Sequence, residues 1–544
     1  MPSFKDLQYT LRTLRKSPTF TCVVILTMAL GIGANTAVFS IVYALLLRPL
    51  PYQDSAHIVR LFEARTPNDG SSMSGVAPAN FLDWKSQNRA FESVAASVGF
   101  HYNLTGAGSP EHVFGNAVSA EWFAVLKAHP LLGRTFLAEE DRAGAAPAVL
   151  LSENLWRRRY QADPSILGKT LGVNGDAFTV VGVMPAGTDF NEERQNVELW
   201  VPLQRQIRPD RMMWRDSRFL EVIARLKPGV TPVEATEDLN RVMRGIHGEH
   251  PGADVFGAAA ILPLQKYLTG DMQSTLLVSL GTVALVLLVA CANIANLMLV
   301  RMTGRTRELA IRMALGATTA RLMRQLAAEG VCLGVTAGLL GLGVALAGKK
   351  LLLFLLPWVP EVAHIEISVP ALLFALAISI LTGMIFGLVP ALLVVRSRLQ
   401  DLLRRSSGTA TGDTRGRYVR HALAIAEIAC SLVLLAGTGL LVRSLSAPQH
   451  VSLGFATDHR IAVRMSLPRI KYQTDASVVD FYQQVSRKVR ALPGVDDAAV
   501  AYPLPMDGGH FSLTFTLLSG KQLNDAALRL IDSRYFPVTA IPLL

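Results

Sequence analysis

Apolar residues along this chain follow two regimes. Five stretches, Phe20–Leu47, Thr275–Val300, Val331–Ala347, Val369–Val395 and Ala422–Val442, are apolar almost throughout, and about 20 such residues in a row are what a helix needs to cross a bilayer. Between the first two, short β-branched runs bounded by Gly and Pro predict strands at Ala148–Ser152, Ala177–Pro185 and Phe219–Leu226. Thr231-Pro232-Val233-Glu234 then predicts a helix over Pro232–Ile246, with Thr231 as N-cap, Pro232 at the first helical position and Glu234 placed to close a capping box. The pattern is that of a polytopic α-helical membrane protein with an α+β extracytoplasmic domain. Residues 48–273 suffice for a core of their own, as one body or two subdomains.

Charge orients the spans. The N-terminal arm (Lys5, Arg12, Arg15 and Lys16 against Asp6), the loop after the second span and the loop after the fourth carry +3, +4 and +5, more than the whole formal net charge of +11. The positive-inside rule puts all three in the cytosol. Residues 48–273 and 443–544 then lie outside, and the basicity reflects orientation, not nucleic-acid binding. The arm alternates Phe4, Leu7, Leu11 and Leu14 with Lys5, Arg12 and Arg15, the pattern of a helix lying on the inner leaflet and its lipids. All four cysteines, Cys22, Cys291, Cys332 and Cys430, fall in spans, so no disulfide framework is expected outside.

Polar residues inside spans are costly. Asn35, Asn293 and Asn296 are placed to hydrogen-bond between helices, and Glu427, the acid set deepest in an apolar stretch, lies near enough to the cytosol to pair with Arg417 or Arg420. Gly330, Gly334 and Gly338, with Gly383 and Gly387, make small-residue ladders suited to close helix contact. Catalytic, cofactor and metal motifs are not found. Gly343-x-x-x-x-Gly348-Lys349 puts Lys350 where a phosphate-binding loop needs Ser or Thr, and His247, Glu249 and His250 lack zinc-protease spacing.

A repeat links the two external regions. VSAEWFAVLKAHPLL (Val118–Leu132) matches IDSRYFPVTAIPLL (Ile531–Leu544), and the first and fifth spans are each preceded by a basic arm. The chain reads as a four-span unit plus the first span of a second. By that arithmetic the second unit lacks roughly 260 residues, the expectation being a fragment or an interrupted reading frame.

The stretch LVACANIANLMLVRMTGRTRELAIRMALGATTARLMRQLAAEG (Leu288–Gly330) resembles the signature of MacB/FtsX-type ABC-transporter permeases. With LRTLRKSPTFTCVVILTMALGIGANTAVFSIVYALLLRPLPY (Leu11–Tyr52) and the two-unit layout, the chain is similar to the duplicated orphan permeases of acidobacteria. The resemblance implies a MacB-like periplasmic core domain at 48–273 after an arm (1–18) and a first span (19–47). It implies an FtsX-like domain at 274–395, with spans at 274–300, 330–348 and 369–395 around a cytosolic coupling segment at 301–329. A basic linker (396–421), a fifth span (422–442) and a partial second external domain (443–544) follow. Arg305, Arg307, Glu308, Ile311, Arg312, Leu315, Gly316 and Arg321 are the expected contacts to a cytosolic ABC ATPase. Ile311 and Leu315 would supply an apolar stripe, Gly316 a break, and the arginines partners for acidic residues. The implied protein sits in the bacterial inner membrane with a cytosolic N-terminus and hydrolyses no ATP itself. It exports or extracts a hydrophobic or peptide-like substrate, with an extracytoplasmic substrate or adaptor as further partner and a dimer or internal pseudo-dimer as its complete form. The alternative is an FtsX-like signalling or scaffold protein acting on an external partner.

Overall fold

The computed structural model describes residues 17–66, 73–106, 108–188, 196–250, 256–304, 311, 318–355, 368–404, 414–446, 454–465, 467, 472, 474–504, 511–517 and 522–542. Helix α1 (Pro18–Val42) leads through a π-helical turn (Tyr43–Leu47) to strand β1 (Ile58–Ala64), helix α2 (Pro78–Gln87), strands β2 (Phe91–Thr105) and β3 (Glu111–Val118), and helix α3 (Trp122–Leu126). There follow β4 (Leu132–Gly133), β5 (Ala148–Ser152), α4 (Glu153–Tyr160), β6 (Thr170–Val173), β7 (Asp176–Met184), β8 (Leu199–Pro202), α5 (Leu203–Gln206), β9 (Glu221–Leu226), α6 (Pro232–Glu249) and β10 (Ala258–Pro263). Four long helices come next: α7 (Leu264–Gly304), α8 (Thr319–Leu355), α9 (Val369–Arg404) and α10 (Thr414–Ser446). Helix α11 (Asp475–Arg490), strands β11 (Ala501–Tyr502), β12 (Phe511–Thr516), β13 (Gln522–Leu528) and β14 (Leu530–Ile531), and helix α12 (Tyr535–Thr539) complete the order. The chain divides into two compact units, Met1–Arg48 with Thr269–Val451, and Pro49–Leu268 with Ser452–Leu544.

In the external unit β1 to β10 join one sheet, in the order β10-β1-β9-β2-β3-β8-β5-β7-β4 with β6 pairing both β2 and β7. The β3–β8 and β5–β7 pairs are parallel. One continuous sheet unites what the sequence left open as one body or two. All seven residues of β1 are buried, because β10 and β9 flank it and both its faces are covered. That is why IVRLFEA does not alternate. On one face Val59 and Leu61 pack with Trp84 of α2, Leu239 and Met243 of α6, and Leu155 of α4. On the other, Ile58 packs with Trp122, Phe123 and Leu126 of α3 and with Leu264, the first residue of α7. Helix α6 starts as its capping box dictates: Thr231 Oγ1 accepts from Glu234 N at 3.3 Å, and Glu234 Oε2 accepts from Thr231 N at 2.8 Å.

The C-terminal segment repeats part of the first domain in backbone detail. In the first copy Trp122 N donates to Ser119 O, Lys127 N to Ala124 O and Ala128 N to Phe123 O; in the second Tyr535 N donates to Asp532 O, Ala540 N to Pro537 O and Ile541 N to Phe536 O. Lys127 and Ala540, which end the two short helices, both adopt the left-handed conformation, at φ 50° and 55°. Ser119 and Asp532 each staple an earlier segment: Ala96 N on β2 donates to Ser119 Oγ at 3.1 Å, and Val500 N, just before β11, to Asp532 Oδ2 at 3.0 Å.

Among the described residues, Pro18–Val42, Gln273–Met298 and Met323–Gly348 are helices long and apolar enough to cross a membrane, with shorter apolar stretches at Val369–Ile385 and Ala424–Leu440. Two helices run beyond the spans they carry. The helix that holds the second span begins at Leu264, because Leu264, Tyr267 and Leu268 bury against the external core and hold the polar QKYLTGD turns helical. Helix α8 begins at Thr319, so the later part of the coupling segment and the third span are one helix, with no break at 329/330. The N-terminal arm before Ser17, residues 356–367 between α8 and α9, and residues 405–413 of the basic linker lie outside the described residues.

Candidate functional site

Three sets of residues stand out on and beside the membrane helices. The first is the helix seam. A Cβ on Gly33 would sit 2.7 Å from Gly341 O, and one on Gly341 would sit 3.0 Å from Ala29 O, so α1 and α8 meet backbone to backbone. A Cβ on Gly383 would sit 2.5 Å from Gly330 O, while Gly334 and Gly338 face Ser379. Small residues permit such approach, which is what holds helices together where lipid removes the hydrophobic drive. Asn35 Nδ2 donates to Gly31 O at 2.9 Å and across to Val283 O of α7 at 2.7 Å. Asn293 is exposed and Asn296 half-buried, its Oδ1 enclosed without a hydrogen-bond partner among the described residues. Glu427 is half-buried on α10, and the side chains of Arg417 and Arg420, its expected partners, lie outside the described residues. Among the described residues of the bundle, the most deeply buried acid is Glu329, 6% exposed on α8. Its place beside a charged segment hid it from a reading by apolar stretches.

The second set is the expected coupling segment, residues 301–329. Ile311 is 53% exposed and Arg321 is exposed on the first turn of α8. Arg305, Arg307, Glu308, Arg312, Leu315 and Gly316 lie outside the described residues. At its start Arg301 Nη2 donates to Ser17 Oγ at 3.0 Å, and the guanidinium lies 4.4 Å from the centre of the Phe20 ring. This hydrogen bond and cation–π contact tie the start of α1 to the end of α7.

The third set, in the external unit, is the pair of stems leading to the first two spans. They enter as hydrogen-bonded neighbours: β1 pairs with β10 from Val59↔Pro263 to Ala64↔Ala258. Tyr52 and Leu50 beside β1, and Leu264, Tyr267 and Leu268 after β10, share one apolar cluster with α3.

Buried charges brace this arrangement. Glu63 on β1 is fully buried and accepts from Ala77 N and Asn80 Nδ2, both at 2.8 Å, and from Arg218 Nε at 2.6 Å. Burial raises its pKa, opposed by the Arg218 charge and these hydrogen bonds. Arg60, equally buried, lies 3.6 Å from Glu221 and stacks near Phe62 and Tyr267. Asp141 accepts from Gln204 N at 2.9 Å and Ala120 N at 3.3 Å, and its burial lifts its pKa to about 6. Sequence reasoning did not single out Arg60, Glu63 or Arg225. The available signal was a charge inside a strand apolar on both faces, as in IVRLFEA and VIARL.

Comparison with known proteins adds a family. Residues 21–242 match the model of the MacB-like periplasmic core domain and residues 280–399 that of the FtsX-like permease C-terminal domain. The pyoverdine export ATP-binding/permease protein PvdT of Pseudomonas entomophila is 29% identical over 274 residues, 50% of this chain and 40% of that protein. The macrolide export ATP-binding/permease protein MacB of Hahella chejuensis is 30% identical over 276 residues, 51% of this chain and 40% of that one. MacB of Salmonella typhi is 30% identical over 325 residues, 58% of this chain and 47% of that one. The chain thus spans under half the length of these relatives. The periplasmic region of MacB from Actinobacillus actinomycetemcomitans aligns over 40% of this chain and 94% of its own, at 17% identity and a TM-score of 0.31. With a MacB-like periplasmic core domain followed by an FtsX-like permease domain, the chain is a multi-pass membrane protein with an extracytoplasmic domain and belongs to the MacB/FtsX-type ABC-transporter permeases.

Proposed function

We propose that this chain is the permease part of an export system in which a separate cytosolic ABC ATPase drives the spans, and the spans drive the external domain. The observation that carries this reading is the pairing of β1 with β10, which sets both stems in one core so that a shift of either span loads the whole sheet. The names of the relatives, export ATP-binding/permease proteins, support the direction of transport and the need for an ATPase. The basic stretches support a cytosolic N-terminus in the inner membrane. On this reading Arg305, Arg307, Glu308, Ile311, Arg312, Leu315, Gly316 and Arg321 dock the ATPase, and the substrate is a hydrophobic or peptide-like molecule taken up on the outer side.

The test is co-purification of the full chain with candidate cytosolic ATPases, followed by vanadate-sensitive hydrolysis in vesicles. Arg307→Glu with Arg312→Glu should abolish association while leaving membrane insertion intact. Unchanged association rejects the docking assignment, and failure of every ATPase to bind rejects the reading. Stimulation of hydrolysis by substrate is the result expected of export; stimulation only by an external protein partner would indicate an FtsX-like signaller instead.

A further inference from the structure

Arg225 is 2% exposed, on a strand whose neighbours are apolar. A guanidinium removed from water costs several kcal/mol unless its donors are met. Here they are met by backbone. Nε and Nη2 donate to Val125 O at 2.9 and 2.6 Å, Nη1 to Asp54 O at 3.1 Å and Nη2 to Gln53 O at 3.0 Å. Those carbonyls belong to two separate places. Gln53 and Asp54 form the turn between the first span and β1, where Asp54 is held in the left-handed region at φ 51°. Val125 lies in the last turn of α3, where carbonyls lack helical partners and a cation is favoured.

The backbone register puts the fork there. Arg225 pairs with Ile58, the first residue of β1, so its side chain reaches the turn just before that strand. A second tie lies outside it: Lys127 Nζ meets Asp54 Oδ2 at 2.9 Å. The turn thus has an inner bond to α3 through Arg225 and an outer one through Lys127. Only a planar, multi-donor head can serve carbonyls on two sides at once; an ammonium is a compact point charge.

We propose that Arg225 is a positioning residue that locks the stem of the first span to the sheet, making that stem a rigid lever rather than a hinge. This deepens the proposed function and rests on it for its consequence, though not for its geometry. Without the fork, the turn at 53–57 is free to flex, and motion of the first span is absorbed there. The neighbouring stem, held by β10 and Leu264, stays fixed.

The test uses the full chain in lipid nanodiscs, with Arg225→Met and Arg225→Lys. Hydrogen exchange without nucleotide should rise about tenfold or more at residues 53–57 and 125–128 in both variants, with β3, β5 and α6 as protected as in the wild type. Wild-type exchange at 53–57 in either variant overturns the lock. So does global unfolding of Arg225→Met with wild-type behaviour of Arg225→Lys, which would make the residue a core filler. With the ATPase present, Arg225→Lys should keep vanadate-sensitive hydrolysis and lose ATP-driven displacement of the external domain; retained displacement also overturns the proposal. If no ATPase binds the wild type, the functional reading fails, while the exchange result still decides the lock.

Discussion

The two copies of the short repeat share a backbone but not a core. Helices α3 and α12 have matching hydrogen bonds and left-handed ends. Yet Trp122, Phe123, Val125 and Leu126 are 0–2% exposed, whereas in the second copy Tyr535 is buried, Phe536 and Val538 are half-buried and Pro537 is exposed. The second copy also leaves Leu530 at 59% and Tyr502 at 58% exposure. The difference separates two kinds of information. Turn chemistry acts over a few residues and is met in both copies; burial needs partners brought from far along the chain. In the first copy these come from β5 and β8 and from Leu264 of α7.

The largest effect should come from burial. Phe123→Ala should destabilise the first domain by about 3–5 kcal/mol, while Phe536→Ala at the matched position should cost the second segment no more than about 1 kcal/mol. Native-state hydrogen exchange resolves the two copies; equal losses would erase the contrast. Acidification should next act with opposite signs. The pKa of Asp141 is raised by burial to about 6, so its ionisation opposes folding. Stability from this group is full below pH 4 and is lost as pH rises through 6, on the order of 2–3 kcal/mol. Asp141→Asn should remove that dependence from the unfolding midpoint, and an unaltered pH profile would show that the carboxylate is not the cause. Asp497 in the second segment has its pKa lowered by the Ala498 amide and by Arg534, so its contribution is present near neutrality and fades only as pH falls below the ordinary carboxylate range.

The staples come third. Ser119→Ala leaves the buried Ala96 N–H unmet and should cost about 1–2 kcal/mol, against a smaller loss for Asp532→Ala, whose acceptor meets a half-buried amide. The smallest contrast should be at the helix caps. Thr231 and Thr474 both close capping boxes, and each Thr→Ala substitution should cost about 1 kcal/mol, read as fraying of α6 and α11. A large difference there would mean that caps, too, depend on distant packing.

What the sequence made legible follows the same division. The strand Ala148–Ser152, the Thr231 box and the repeat were local signals, and the structure carries each of them. No helix was expected at Leu264–Thr269, within the external domain, because its helix is held by a core formed elsewhere. Arg225 and Glu63 were passed over because a charge in an apolar strand reveals its role only when carbonyls and amides from Gln53, Val125 and Ala77 converge on it. Of the expected coupling segment only residues 301–304, Ile311 and those from Thr318 onward are described, so the six docking positions between them rest on their motif.

The central claim is that ATP hydrolysis in the cytosol displaces the external domain. With the four native cysteines replaced, spin labels at Lys169 on the external unit and at Leu340, 52% exposed on α8, would report it by pulsed electron–electron distance measurement in nanodiscs containing the ATPase. The distance distribution should shift between the nucleotide-free state and the ATP–vanadate state. An identical distribution in both states, with the ATPase bound and turning over, would contradict the account.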